Sequence, residues 1–125
     1  MPLLELSYLQ FPKKYLQILQ TLLDHYVPQA EVWAYGSRVT GSAHEGSDLD
    51  LVLRNPKDLT QNVEGWLDLK EALRESTIPI LIDMHNWANL PQDFHCNIEA
   101  AYVVVQKGIS IDMKENNAKW LEKNS

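Results

Sequence analysis

The sequence predicts an α/β domain in which helices and strands alternate along the chain. Three observations lead to this prediction. Apolar residues recur at helical spacing in several segments, short runs rich in strand formers lie between them, and glycine or proline stands at several of the boundaries. Alternation of this kind is typical of a sheet covered by helices. The 125 residues suit one domain, with no linker long enough to divide it.

The first elements can be placed in chain order. A helix is predicted from about 12 to 26, because Pro12 suits a first helical turn and leucines follow at helical spacing. The residues EVWAYG, 31–36, predict a strand closed by glycine. A short helical turn is then expected to begin near Ser37, followed by a loop rich in glycine and serine.

The second half of the chain continues the alternation. The predicted elements are a strand at 48–53 (DLDLVL), an amphipathic helix at 61–75, a strand at 78–84 (IPILIDM) that ends in Asp83, a helix opened by Pro91, and a strand at 102–105 (YVVV). The residues that follow Gly108 are mostly polar. We therefore expect residues 1–108 to form the domain and residues 109–125 to form a polar C-terminal tail.

Composition and charge narrow the classes of function. A hydrophobic content of 45% and a charged content of 22% are typical of a globular protein. The one cysteine, Cys96, suits a reducing compartment. A net charge of −6 disfavours direct binding to nucleic acid. No apolar run approaches the roughly 20 residues of a membrane span, and the opening residues lack the order of a secretory signal. A cytoplasmic protein without membrane contact is expected.

One pattern carries chemistry: Gly36-Ser37, then ten residues, then Asp48-Leu49-Asp50. In a strand, residues two apart project from the same face, so Asp48 and Asp50 are expected to point together. Two such carboxylates repel each other unless a cation lies between them, and hard oxygen ligands select Mg²⁺ or Mn²⁺. Asp83, at the end of a neighbouring strand, would complete a site for two metal ions.

The glycine and serine supply the other half of the pattern. Gly36 lets the backbone approach a phosphate closely, and Ser37 adds a hydroxyl at the start of a helical turn. A phosphate-binding turn that faces metal-binding carboxylates is the arrangement that phosphoryl or nucleotidyl transfer requires. The plainer alternative is a turn and a solvated acidic strand end, with Asp83 as a turn residue. Two further residues have two interpretations each. Arg38 could contact the triphosphate or be a surface charge, and Ser47 could contact phosphate or cap the turn before the strand.

The segment GSRVTGSAHEGSDLDLVL, residues 36–53, resembles the signature of the DNA polymerase beta-type nucleotidyltransferase superfamily. More narrowly, the chain resembles the minimal nucleotidyltransferases, the MNT proteins encoded beside HEPN-domain partners. The resemblance extends from VWAYGSR at 32–38 to NIEAAYVVV at 97–105, and the tail after Gly108 lies outside it. It implies a single-domain nucleotidyltransferase fold with a small mixed β-sheet flanked by helices.

The resemblance also implies roles for particular residues. The glycine–serine pair would hold the triphosphate of ATP or another NTP, and the carboxylates would bind two Mg²⁺ ions, with Mn²⁺ as an alternative. The third carboxylate would also help to activate the acceptor hydroxyl. The expected catalytic and metal-binding residues are Asp48, Asp50 and Asp83, and the expected nucleotide-binding residues are Gly36, Ser37, Arg38 and Ser47.

Few residues remain to build a domain for the acceptor, so the acceptor is expected on another molecule. MNT proteins act as antitoxins of HEPN ribonuclease toxins, and some transfer AMP from ATP to a toxin tyrosine. The resemblance thus implies a protein adenylyltransferase that forms a hetero-oligomer with a HEPN-domain partner. Two alternatives stay open. One is an antitoxin that neutralises its partner by binding alone, and the other is the nucleotide-binding subunit of a two-subunit enzyme acting on a small molecule.

Overall fold

The computed structural model describes residues 3–44 and 46–108. Within them the chain forms a five-stranded sheet and four α-helices. In chain order these elements are β1 (Leu3–Leu4), α1 (Lys13–Tyr26), β2 (Glu31–Tyr35), α2 (Ser37–Thr40), β3 (Leu49–Arg54), α3 (Trp66–Glu75), β4 (Ile82–Asn86), α4 (Gln92–Ala100) and β5 (Tyr102–Gln106). Short 3₁₀ turns cover Leu6–Tyr8 and Trp87–Asn89. None of the helices described is long and apolar enough to cross a membrane.

The sheet is mixed, with the strand order β1-β5-β2-β3-β4. The pairs β2–β3 and β2–β5 are antiparallel, whereas β1–β5 and β3–β4 are parallel. The parallel β3–β4 pair requires a crossover connection, and α3 lies within it. The small mixed sheet flanked by helices confirms the predicted fold class.

One face of the sheet forms the larger apolar core beneath α1 and α3. Alternate residues of the strands project to this face, as the two-residue period of a strand requires. Full burial of each large apolar side chain contributes roughly 1.5–3 kcal/mol to folding. The fully buried residues here include Leu19 and Leu23 of α1, Leu69 of α3, Val32 of β2, Val103 of β5 and the leucines 49 and 51 of β3.

The opposite face carries a smaller, aromatic core beneath α4, whose buried members are Trp33, Tyr35, Val52, Trp87 and Ile98. The guanidinium carbon of Arg54 lies 4.0 Å from the ring centroid of Trp33 and 4.6 Å from that of Trp87. Glu31 forms an ion pair with the same guanidinium. This packing fixes one end of the sheet face that lies beneath α4, which we call the α4 face. The acidic residues of β3 and β4 occupy the same face further along the strands.

Three predicted boundaries were wrong. The strand expected at 48–53 is Leu49–Arg54, so Asp48 precedes it. The strand expected at 78–84 is Ile82–Asn86, so Asp83 is its second residue and not its end. The helix expected at 61–75 begins only at Trp66, since Gly65 precedes it at φ 90°, where a side chain would overlap the carbonyl oxygen of Tyr26. The strand β1 was not predicted from the sequence. The predicted tail, 109–125, lies outside the described residues.

Candidate active site

Asp50 lies at the centre of the candidate site. The sheet register pairs it with Tyr35 of β2 on one side and with Asp83 of β4 on the other. Neighbouring strands are about 4.8 Å apart, and directly paired residues project from the same face. Two of the three predicted carboxylates, Asp50 and Asp83, are therefore brought side by side on the α4 face of the sheet.

The glycine–serine turn lies against the same carboxylate. Gly36 links β2 to α2 with φ 80° and ψ −155°, a conformation that is essentially restricted to glycine. A Cβ atom at this position would overlap the Oδ2 atom of Asp50. The carbonyl oxygen of Gly36 accepts the N–H groups of Val39 and Thr40 at 3.0 Å, which starts the turn of α2 at Ser37. The predicted phosphate-binding turn and the predicted carboxylates thus meet at Gly36 and Asp50.

Asp48 occupies a different position from the other two carboxylates. It precedes the first residue of β3 and is exposed to solvent. Across residues 3–44 and 46–108, no three His, Cys, Asp or Glu side chains are grouped closely enough to hold one ion. The structure therefore presents a paired arrangement, Asp50 with Asp83, and leaves Asp48 at the solvent side of the pair.

Burial and neighbouring negative charges together shift the pKa values of two groups in the site. Burial raises the pKa of the Asp50 carboxyl above its usual value, the charges of Asp83 and Asp48 raise it further, and His85 opposes the shift. Burial also raises the pKa of the Tyr35 phenol, with added contributions from Asp50 and Asp83. A bound cation would relieve this repulsion, and hard carboxylate oxygens are the ligands that Mg²⁺ prefers. The residues present therefore fit a divalent cation.

Arg38 is buried, with 7% of its surface exposed, so the alternative of a surface charge is wrong. Its Nε and Nη2 atoms donate to the carbonyl oxygen of Ser47 at 3.0 and 2.8 Å, and its Nη1 atom donates to the carbonyl oxygen of Gln10 at 2.6 Å. The Ser47 hydroxyl accepts the N–H of His44 at 3.0 Å, as a turn cap does. Both residues fix the loop that leads into Asp48, and their contacts with phosphate stay predictions.

Sequence reasoning missed two residues that line the site. Tyr35 precedes the glycine of the motif, and its partnership with Asp50 depends on an antiparallel register that the sequence does not reveal. His85 follows Asp83 by two residues on β4, and its Nε2 atom lies 3.3 Å from the Oδ2 atom of Asp83. The two-residue spacing was a usable signal for His85, because it places both side chains on one face of a strand.

Comparison with known proteins places this geometry in a family. The nucleotidyltransferase domain family matches residues 13–115. A protein of Haemophilus influenzae (strain ATCC 51907 / DSM 11121 / KW20 / Rd) named "Probable protein adenylyltransferase MntA" is 41% identical over 92 residues, which are 74% of this chain and 79% of that protein.

Two solved structures share the fold. One is a crystal structure of a toxin–antitoxin with AMP-PNP, with a TM-score of 0.59 and 16% identity, which covers 90% of this chain and 87% of its own. The other is the toxin–antitoxin MntA–HpeT carrying two aspartate-to-glutamate substitutions, with a TM-score of 0.58 and 13% identity, and coverage of 87% and 86%. At these identities the structures show a shared fold. The family match, which spans most of the sequence, and the 41% identical relative assign the chain to the nucleotidyltransferase domain family of enzymes.

Proposed function

We propose that this enzyme transfers AMP from ATP to a tyrosine hydroxyl of a HEPN-type toxin encoded beside it, and so acts as the antitoxin of that toxin. The similarity to a protein named as a probable protein adenylyltransferase supports the reaction. The likeness to antitoxin-containing crystal structures, one of them with AMP-PNP, is consistent with a toxin partner and a nucleotide ligand. The observation that carries the proposal is the convergence of Asp83 and Gly36 on Asp50.

The exposure of the site suits an acceptor that belongs to another molecule. The side chain of Asp83 is 52% exposed, and Asp48 is exposed as well. The carboxylates therefore stand at the protein surface, where a hydroxyl carried by a partner protein can reach them. This accessibility favours a macromolecular acceptor over a small molecule that would need an enclosing pocket.

The chain's own residues divide the chemistry between them. In the proposed reaction Gly36 and Ser37 hold the terminal phosphates, with Arg38 and Ser47 supporting the loop. The acceptor oxygen attacks the α-phosphorus in line, an O–P bond forms, the bond to the β-phosphate oxygen breaks, and pyrophosphate leaves. Asp83 takes the proton of the acceptor hydroxyl as general base.

Asp48, Asp50 and Asp83 would hold two Mg²⁺ ions, with Mn²⁺ as a substitute. Bound there, the metal supplies charge neutralisation for the triphosphate and lowers the pKa of the acceptor hydroxyl. Because each carboxylate would help to hold the metal, loss of any one of them should weaken metal binding and, through the metal, nucleotide binding.

The test is a reconstituted reaction. The chain is mixed with the purified HEPN-type protein encoded next to it, ATP and Mg²⁺, and the partner is weighed by intact-mass spectrometry. We expect the mass of one added AMP, mapped to a tyrosine by fragmentation. A reaction run with EDTA in place of Mg²⁺ should leave the partner unmodified. The Asp50→Asn and Asp83→Asn variants should lose transfer by about 100-fold or more, the size expected when a stabilising charge is removed from the transition state.

Asp68→Asn is the matched control, because Asp68 is an exposed carboxylate of α3, the helix that packs on the opposite face of the sheet. It should transfer AMP at the wild-type rate. A partner that is inhibited but never modified would overturn the proposal in favour of neutralisation by binding. Transfer that survives Asp50→Asn or Asp48→Asn would show that the assignment of the carboxylates is wrong.

A further inference from the structure

The side chains of Asp83 and His85 lie together on β4, on the face that carries the active site. They are two residues apart on one strand, and the register places Asp83 opposite Asp50 and His85 opposite Val52. The Nε2 atom of His85 lies 3.3 Å from the Oδ2 atom of Asp83. His85 is therefore the neighbour that touches one of the two oxygens of this carboxylate.

The two paired carboxylates differ in how firmly the protein holds them. Asp50 belongs to β3, which is paired on both sides, and its Oδ2 atom lies against Gly36. Asp83 belongs to β4, which lies at one edge of the described sheet, and its side chain is 52% exposed. An exposed carboxylate exchanges between rotamers, and that freedom must be lost when the group binds a cation.

We propose that His85 is a positioning residue, which holds the Oδ2 atom of Asp83 and leaves its second oxygen directed to the cation shared with Asp50. The inference rests on the proposed function, since it concerns the same carboxylates. A ligand oriented in advance loses less entropy on binding, and partners that orient metal ligands in this way typically change metal affinity by about 10- to 100-fold.

The shape of the side chain at position 85 provides the test. Glutamine can place its amide nitrogen where Nε2 of the imidazole lies, whereas asparagine is too short to reach that point. His85→Gln should therefore keep the contact with Asp83, and His85→Asn and His85→Ala should lose it. The side chain of His85 is 41% exposed, so these replacements leave the core intact.

The measurement is a titration of the full chain with Mn²⁺, in which the free ion is followed by electron paramagnetic resonance without nucleotide or partner. We expect His85→Asn and His85→Ala to bind Mn²⁺ about 10- to 100-fold more weakly than the wild type, and His85→Gln to bind within about threefold of it. Thermal unfolding of the metal-free variants should match the wild type. That pattern separates positioning of a ligand from general support of the fold.

Three results would overturn the inference. Equal Mn²⁺ affinity in all variants would show that His85 does not influence the site. A loss in His85→Gln as large as that in His85→Ala would mean that the contact seen between the side chains is not what matters. A wild-type chain that binds no Mn²⁺ would remove the inference together with the proposed function, whereas the first two results leave the proposed function standing.

Discussion

The Oδ2 atom of Asp50 occupies the space in which a side chain on residue 36 would stand. Gly36 of the turn and the carboxylate of Asp50 therefore pack closely against each other, although 13 residues lie between them in the sequence. A glycine is needed at position 36 for two independent reasons. One is the backbone conformation at φ 80° and ψ −155°, and the other is the close approach of Asp50.

Gly36→Ala should therefore damage both the fold and the site. The strained backbone alone costs about 1–3 kcal/mol, and the new methyl group also displaces the carboxylate of Asp50. Gly41→Ala is the matched control, because Gly41 has φ 90° and ψ 4° but open space, with nothing within 4 Å, where a Cβ atom would lie. We expect urea unfolding to show a loss in both variants, and Mn²⁺ binding to fall sharply only in Gly36→Ala. Equal metal affinity in the two variants would contradict the prediction.

The sequence was sufficient for the elements whose periodicity is strong. The alternation of Leu49, Asp50 and Leu51 indicated which side chains enter the core and which face the site, whereas Asp48 lies just before the strand and not within it. The same reasoning placed the strand at 78–84 too early, because the apolar run IPILI was taken as its body. In the structure β4 pairs through residues 82–86, and Asp83 and His85 face the site from inside the strand.

The site was predictable only as far as local spacing reaches. The motif placed Gly36, Asp48 and Asp50 in one region because they are close in sequence. The partnership of Tyr35 with Asp50 and the burial of Arg38 against the carbonyls of Ser47 and Gln10 depend on pairing between distant segments. Such contacts are set by tertiary packing, which no pattern of residues along one segment specifies.

Asp50→Asn is expected to stabilise the metal-free protein while it removes activity. The pKa of Asp50 is raised by burial and by Asp83 and Asp48, so the native state holds this proton more tightly than the unfolded chain does. Its contribution to stability therefore falls as the pH rises through its titration, and once ionised the carboxylate is unfavourable in the native state. Asparagine keeps the shape without the charge. Thermal unfolding in EDTA at pH 7 should give a melting temperature equal to or above that of the wild type.

Asp58→Asn is a control for which the expected change in stability has the opposite sign to that of Asp50→Asn. Hydrogen bonds from the hydroxyl and the N–H of Thr60 lower the pKa of Asp58, so this carboxylate favours the native state above its usual pKa and loses that contribution as the pH falls. Its replacement should lower the melting temperature slightly, since the group is fully exposed. A clear loss of stability in Asp50→Asn would show that the carboxylate is favourable in the metal-free fold.

Asn86→Ala should destabilise the fold without altering the chemistry. Asn86 is buried, and its Oδ1 atom accepts the N–H of Val63 at 3.0 Å, which ties the loop before α3 to β4. A buried N–H left without an acceptor costs about 1–3 kcal/mol. Asn89→Ala is the control, because Asn89 is exposed. Urea unfolding should separate the two variants, while AMP transfer measured well below the melting temperature should be unchanged in both. A specific loss of transfer in Asn86→Ala would contradict this division.

Arg38→Lys should weaken the site almost as much as Arg38→Ala, although it preserves the charge. The planar guanidinium bonds two carbonyl groups from different segments, Ser47 and Gln10, and a lysine ammonium cannot reproduce that forked geometry. Hydrogen bonds to charged groups contribute about 1.5–3 kcal/mol, so both variants should lose stability in urea.

Because Ser47 directly precedes Asp48, loosening this tie should also lower affinity for Mn²⁺ measured without nucleotide. That readout separates the two roles of Arg38. If Arg38 only contacted the triphosphate, its replacement by alanine would lower the affinity for ATP and leave the affinity for Mn²⁺ unchanged. Lysine would then restore most of the lost ATP affinity, because an ammonium binds phosphate as a point charge. Full rescue of both stability and Mn²⁺ binding by lysine would therefore argue against the tie between Arg38 and the loop.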